Sequence, residues 1–382
     1  MLPLTYAIRN LFRDPGRLLQ TVGGSALVVL LVIAAGALTN GMNGVLAASG
    51  SERNVILLAA GSEESVERSE VPLEAESAAA TAVRGLVKPL GTTAASGEIV
   101  YMAPLAVGDG PPVPALLRGV TAKALLVHTK VRVVEGRFPR PGEVIVGRLA
   151  HRTLGVAPGR LVPGATIRFE SASFRVAGVF EAPATVLESE VWFDRNDLAT
   201  LTQRDTLSAV YVRLDEAAFD DVHAFTLQRN DLELAAIRED RYYDKVRAFF
   251  APIRVMTWVT AGLVAAGALF GGLNTLYAAF ASRIREMATL QSIGFTRRAL
   301  LESLIQESLL AALTGSLVAF VLAILFLDGR SIPFSLGTFV VELTPAIILT
   351  ALATGVALGT LGTLPPALRC LQPPLPVALR SS

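Results

Sequence analysis

A chain of 382 residues with 52% apolar and only 18% charged side chains, and a mean hydropathy of +0.51, is too apolar for a soluble protein of ordinary charge content and points to the membrane. The formal net charge is +1 and Lys and Arg are scattered, which excludes the basic footprint of a nucleic-acid binder. The single cysteine, Cys370, excludes an intrachain disulfide and any cysteine-based zinc or redox motif, and reads as apolar filler near a membrane boundary.

In chain order, residues 1–17 read as a cytoplasmic amphipathic helix carrying Arg9, Arg13 and Arg17. No charged side chain occurs between Arg17 and Glu52. About 20 apolar residues cross the hydrocarbon core, so residues 18–47 are expected as the first transmembrane helix. A cleaved signal peptide is the rival reading, with Ala47 and Ala48 as candidate cleavage residues, but the run is too long for a signal core. Further apolar runs predict helices at 255–282, 301–327 and 343–368, because a lone segment in lipid must satisfy its own backbone hydrogen bonds. Arg283, Arg285, Arg297 and Arg298 lie between the second and third spans, and Arg369 and Arg380 follow the fourth. By the positive-inside tendency these segments and both termini are cytoplasmic, including the tail 369–382, and the short loop 328–342 lies outside.

Residues 48–254 return to the composition of a globular domain. A helix opened by Pro72 is expected over 69–88. Short β-branched or aromatic runs at 98–107, 130–134, 143–146, 166–169, 173–180, 191–193 and 209–214 are separated by Gly, Pro and Asp and predict strands, with clear turns at Pro141-Gly142 and Pro158-Gly159. Residues 216–250 read as helical and continuous with the second span, a stiff stalk. The fold class expected is an α-helical membrane protein with four transmembrane helices plus an α/β extracytoplasmic domain inserted between helices 1 and 2.

Residues 283–300 join the second and third spans. Ile284, Met287, Ala288 and Leu290 recur at near-helical spacing among charges, which predicts a short amphipathic helix. Gly294 suits its C-cap and Thr296 the N-cap of the helix that follows. From physics alone this is equally a basic membrane-surface turn or a docking element for a cytoplasmic partner.

The pattern R-x-R-E-x-A-x-L-x-x-I-G over residues 283–294, followed by Glu307 entering a span, resembles the signature of the FtsX/MacB-type permeases of ABC transporters. Ala7-Ile8-Arg9-Asn10-Leu11 with Arg13 and Arg17, the strand within 142–147, Gly178-Val179-Phe180, Pro365-Pro366-Ala367 and Pro376-Val377-Ala378-Leu379-Arg380 resemble that family in the same order. The resemblance implies a periplasmic core domain of MacB type, a second permease copy or paralogue, and an ATPase docked on the helix between the second and third spans. It further implies that Arg283, Arg285, Glu286, Gln291, Gly294 and Phe295 form the ATPase-coupling surface. No G-x-x-x-x-G-K-[ST] loop occurs in the chain, so no cofactor is expected in it, with ATP and Mg on the partner ATPase.

Enzymatic alternatives lack their groups. His128, His151 and His223 fall outside the spans, no Asp lies within a span, and no H-E-x-x-H motif exists, against intramembrane serine, aspartyl or zinc proteolysis. Glu307 reads as a helix-start carboxylate rather than a buried functional group. The function expected is that of a non-catalytic inner-membrane permease subunit exporting or extracting a lipid-like or hydrophobic substrate. A periplasmic adaptor or carrier protein and membrane lipids are its further expected partners. The alternative is an FtsX-like transmitter of motion to a periplasmic cell-wall hydrolase, without transport.

Overall fold

The computed structural model describes residues 4–334 and 336–380. Met1, Leu2 and Pro3 of the expected first helix, and Ser381 and Ser382 of the tail, lie outside the described residues. The chain opens with α1 (Leu4–Leu11) and α2 (Pro15–Ser49). It continues through β1 (Asn54–Ala59), α3 (Glu74–Ala82), β2 (Ala95–Val107), β3 (Val113–Val120), α4 (Ala124–Val127), β4 (Arg132–Gly136), β5 (Glu143–Gly147) and α5 (Ala150–Thr153). Next come β6 (Thr166–Phe169), β7 (Ala172–Glu181), β8 (Val191–Asp194), α6 (Arg195–Leu201), β9 (Ala209–Arg213), α7 (Phe219–Gln228), β10 (Leu234–Arg238) and α8 (Glu239–Phe249). The remainder is α9 (Ala251–Ala281), α10 (Ile284–Ser292), α11 (Arg297–Phe326), the hairpin β11 (Ser331–Phe334) and β12 (Gly337–Val340), α12 (Pro345–Leu361), α13 (Leu364–Cys370) and α14 (Leu375–Arg380). Two compact units result: residues 1–40, 251–330 and 341–382 form one, residues 41–250 and 331–340 the other.

The first unit is helical. α2, α9, α11 and the run Pro345–Cys370 are long and apolar enough to cross a membrane. At 1.5 Å per residue, the 35 residues of α2 span about 50 Å, well beyond a hydrocarbon core of about 30 Å. With no hydrophobic drive between helices in lipid, close approach of backbones must hold them. Gly315 of α11 meets α2 at Ser25 and Val22 with no room for a side chain, and a Cβ on Gly359 of α12 would lie 3.0 Å from Leu309 Cα.

The second unit is a ten-stranded sheet in the order β10-β1-β9-β2-β3-β8-β5-β7-β4, with β6 against β2 and β7. β3–β8 and β5–β7 are parallel and the other pairs antiparallel. Alternation fixes the faces until a bulge shifts them: in β7, Phe174 and Val176 enter the larger core with Phe193, and beyond the register shift at Ala177 Phe180 packs on the other face against Trp192. Phe193 of β8 receives Phe174 and Phe169 edge-on, with ring centroids 5.0 and 6.1 Å away.

Three sequence expectations change here. Helix over 69–88 is confined to α3. The supposed helical stretch 216–250 is broken by β10, which forms one edge of the sheet beside β1. Segment 328–342 is not a plain loop, since its β11–β12 hairpin clusters with the domain. There Thr338 N–H donates to Ser189 Oγ (3.1 Å), Ser189 Oγ to Val186 O (2.7 Å), and Val186 N–H to Ser49 Oγ at the end of α2 (2.9 Å). The main stretch of the domain's chain also brings its two ends together. A Cβ on Gly50 would sit 2.7 Å from Asp240 Cα, an approach only glycine permits.

Candidate coupling site at one end of the helical unit

The 283–300 segment folds as the sequence predicts locally. Gly294, at φ +107°, ends α10: its N–H donates to Gln291 O (3.0 Å) and Phe295 N–H donates to Leu290 O (3.1 Å). This pair of bonds is the Schellman arrangement, which needs a residue at positive φ. Thr296 then caps α11, its Oγ1 accepting from Ala299 N–H at 3.2 Å. The inner face of α10 is set by Met287, which packs with Leu276 and Phe280 of α9, Leu300 and Leu304 of α11, and Ala367, Cys370 and Leu371. The Cys370 Sγ–H donates to Phe280 O at 3.3 Å.

A polar latch flanks this apolar contact. Glu307 lies ten residues into α11, 2% exposed, so it is not a helix-start carboxylate. Its carboxylate accepts from Asn10 Nδ2 at 2.5 Å, from Arg17 Nη2, and from Arg283 Nη1 at 3.2 and 3.1 Å. Four elements thus converge on one buried anion: α1, the start of α2, the N-cap of α10, and α11. Burial holds the Arg283 guanidinium below its ordinary value, with Glu286 opposing, yet an arginine remains charged. A buried carboxylate bonded by two guanidiniums and an amide has its lone pairs largely satisfied and its negative charge more than offset.

The six residues expected at a coupling surface divide accordingly. Arg283 faces inward onto Glu307. Arg285 and Gly294 are exposed, Gln291 and Phe295 half-buried. Glu286 is half-buried and paired with Arg13 at 2.7 Å. Ile293, 70% exposed beside them, extends the free face. In the sequence, Arg17 belongs to a positive flank and both Asn10 and Arg17 to a family resemblance, with no role at this site. A local signal is that Ala7 and Asn10, three apart on α1, share a face, and both are buried.

Two family models match the chain. The MacB-like periplasmic core domain model covers residues 18–224 and the FtsX-like permease C-terminal model covers residues 258–375. The chain belongs to the FtsX/MacB-type permeases. It is a multi-pass membrane protein of ABC-permease type, and its family in general implies an ABC ATPase partner and dimerisation. Among solved structures, the periplasmic region of MacB from Actinobacillus actinomycetemcomitans has a TM-score of 0.41 at 11% identity, covering 52% of this chain and 94% of that one. The extracellular domain of the noncanonic ABC-type transporter YknZ from Gram-positive bacteria gives 0.38 at 16% identity, covering 48% and 99%. A domain of a putative permease protein from Porphyromonas gingivalis gives 0.36 at 14% identity, covering 48% and 88%. Comparison with curated proteins yields no match.

Proposed function

We propose that this permease is the membrane subunit of an ABC export or extraction machine of the inner membrane, with both termini cytoplasmic. ATP and Mg are held by a separate cytoplasmic ATPase docked against α10, which hydrolyses the ATP, and a second permease copy or paralogue completes the assembly. The observation that carries this reading is the four-way latch on Glu307. A lever must not slip against what it moves, and a buried, multiply bonded ion cluster resists slipping far better than an exposed pair. Tilting α10 therefore drags α1, α2 and α11 with it, and α2 runs on to the MacB-like domain.

The cargo is read as lipid-like or hydrophobic. A cavity of about 350 Å³ lies between α2, α9, α11 and α12, with Gly24, Gly271, Gly272 and Gly359 in its wall. The hydroxyls of Thr21, Ser25, Thr275 and Thr363 there each donate to a carbonyl of their own helix. What they leave facing the space is mostly hydrocarbon.

Two variants test the scheme in the full chain purified from its host. Arg285→Glu, on the exposed face, should lose the co-purifying ATPase while the permease accumulates normally. Glu307→Gln should keep the ATPase but uncouple its turnover from cargo release. Retention of the ATPase and full function by Arg285→Glu would remove α10 from the docking surface.

A further inference from the structure

We propose that the base of the MacB-like domain holds a proton-sensitive joint, in which His128 and Glu239 carry the protons that keep the chain's entry to the domain, Ser51, fastened to its exit, α8. The geometry is a chain of buried polar groups. Glu239 Oε2, at the first residue of α8, accepts from Ser51 N–H (3.1 Å) and from Asn54 Nδ2 (2.9 Å). Asn54 Nδ2 also reaches Val127 O (3.3 Å), and the next residue, His128, lies 2.9 Å through Nε2 from Glu98 Oε1. Arg118 bonds Glu98 Oε2 (2.8 Å) and clasps both oxygens of Glu190 at 2.7 Å. Every one of these side chains is buried.

Charge counting shows where protons belong. Three carboxylates, Glu98, Glu190 and Glu239, face one guanidinium and one imidazole. The cluster is neutral when it holds two protons; with Glu98 and Glu190 ionised against Arg118, these sit on His128 as imidazolium and on Glu239 as a carboxylic acid, and a net buried charge is costly. Beside Glu239, Asn54 Oδ1 is buried without a donor among the described residues, although the same amide donates to Glu239, so this end of the cluster is short of protons to donate.

The groups around His128 come from every element packed on it. Glu98 (β2) and Glu239 (α8) favour its charge and Arg118 (β3) opposes it. Tyr211 (β9) and Trp192 (β8) bring their rings to 4.9 and 6.0 Å. Burial pulls His128 down, but Glu98 outweighs it and the imidazole is raised above its ordinary 6.5. Burial raises Glu239 above 4.5 against the pull of His128 and Asn54. Both groups therefore have folded values above unfolded ones. Their stabilisation is complete below 4.5 for Glu239 and 6.5 for His128, and is lost as pH rises through the folded values. Each favours the charged form of the other, so their titrations influence one another. Once both protons are lost the cluster carries two unmatched buried negative charges, and the Ser51–Glu239–Asn54 fastening opens.

The test uses full-length protein in nanodiscs. His151→Gln with His223→Gln leaves His128 as the sole histidine and the cluster untouched, so selective ¹³C-histidine labelling reads its protonation directly. Hydrogen exchange of residues 50–54 and 240–246, corrected for intrinsic base catalysis, reads the joint. The imidazolium should persist above its ordinary range, and protection should fall about tenfold per pH unit beyond the midpoint. Glu239→Gln, which can both accept from and donate to Asn54, should keep the joint closed and flatten the profile. The proposal is overturned if His128 is neutral from pH ~5 upward, if exchange ignores its titration, or if Glu239→Gln leaves the profile unchanged.

Discussion

Arg283 and Glu307 form an ion pair of 3.1 Å whose side chains are 9% and 3% exposed, joining the N-cap of α10 to the interior of α11. The residue that sequence pattern places on an outward coupling surface is thus an internal strut. The exposed or half-buried residues on the outer side are Arg285, Glu286 and Ile293, where the proposed ATPase would dock.

Removing Glu307 strands two buried guanidiniums, Arg17 and Arg283. Glu307→Ala should cost about 3–5 kcal/mol, the range for breaking a buried pair from one side. Thermal melting of the full chain in detergent checks it. A change under ~1 kcal/mol, the range of exposed pairs, would show that the latch is not holding the helices.

The Arg13–Glu286 pair, 64% and 39% exposed, should behave oppositely. A double-mutant cycle on stability should return less than about 1 kcal/mol and fade in salt. Glu286→Lys should nevertheless weaken ATPase assembly by about 1–3 kcal/mol in excess of that internal term. Co-purification and melting measured on the same preparations separate the two.

Gly294→Ala forces a side chain onto φ +107°. It should destabilise the turn after α10 by about 1 kcal/mol or more, read as faster hydrogen exchange over residues 290–296. Unchanged exchange would mean that the Schellman bonds contribute nothing.

Orientation is open to labelling in a Cys370→Ser background. Cysteine at exposed Ser173 should react with an impermeant thiol reagent applied outside cells whose outer membrane is opened, and cysteine at exposed Ser292 should not. The reverse pattern would invert the proposed topology.

Acid sensitivity should trace to Glu98. Burial works against its ionisation, but His128 and Arg118 more than compensate and hold it at about 2, against an ordinary 4.5. A depressed folded value contributes stability above 4.5 that is lost as pH falls toward 2. The melting temperature of the domain should drop across that window in wild type. Glu98→Gln should show a shallower drop from a lower starting stability.

The four apolar helices are legible because hydrocarbon tolerates few charges, and the strands β4 to β9 because Gly and Pro punctuate β-branched runs. β1 escapes notice: Asn-Val-Ile-Leu-Leu-Ala is buried on both faces, so it shows no alternation to mark it as a strand. β10, Leu-Ala-Ala-Ile-Arg, is rich in residues that favour helix and lies between two helices, and only its pairing with β1 makes it a strand. β3 carries Pro114 and Arg118, both discouraging in a strand. Arg118 is tolerated because Glu98 and Glu190, 20 and 72 residues away in sequence, meet it across the sheet. Glu307 is the same case in the helical unit, with partners 24, 290 and 297 residues away. Local pattern carries helix, cap and turn, but a buried charge is intelligible only through partners that the fold brings to it.

The close approach of Gly50 to Asp240 brings the two ends of nearly 200 residues to one point, while the β11–β12 hairpin joins the same domain from a separate stretch of chain. A stretch with coincident ends tolerates changes of length between them, since its flanks are neither stretched nor crowded. The hairpin is a further attachment that any such change must leave in place.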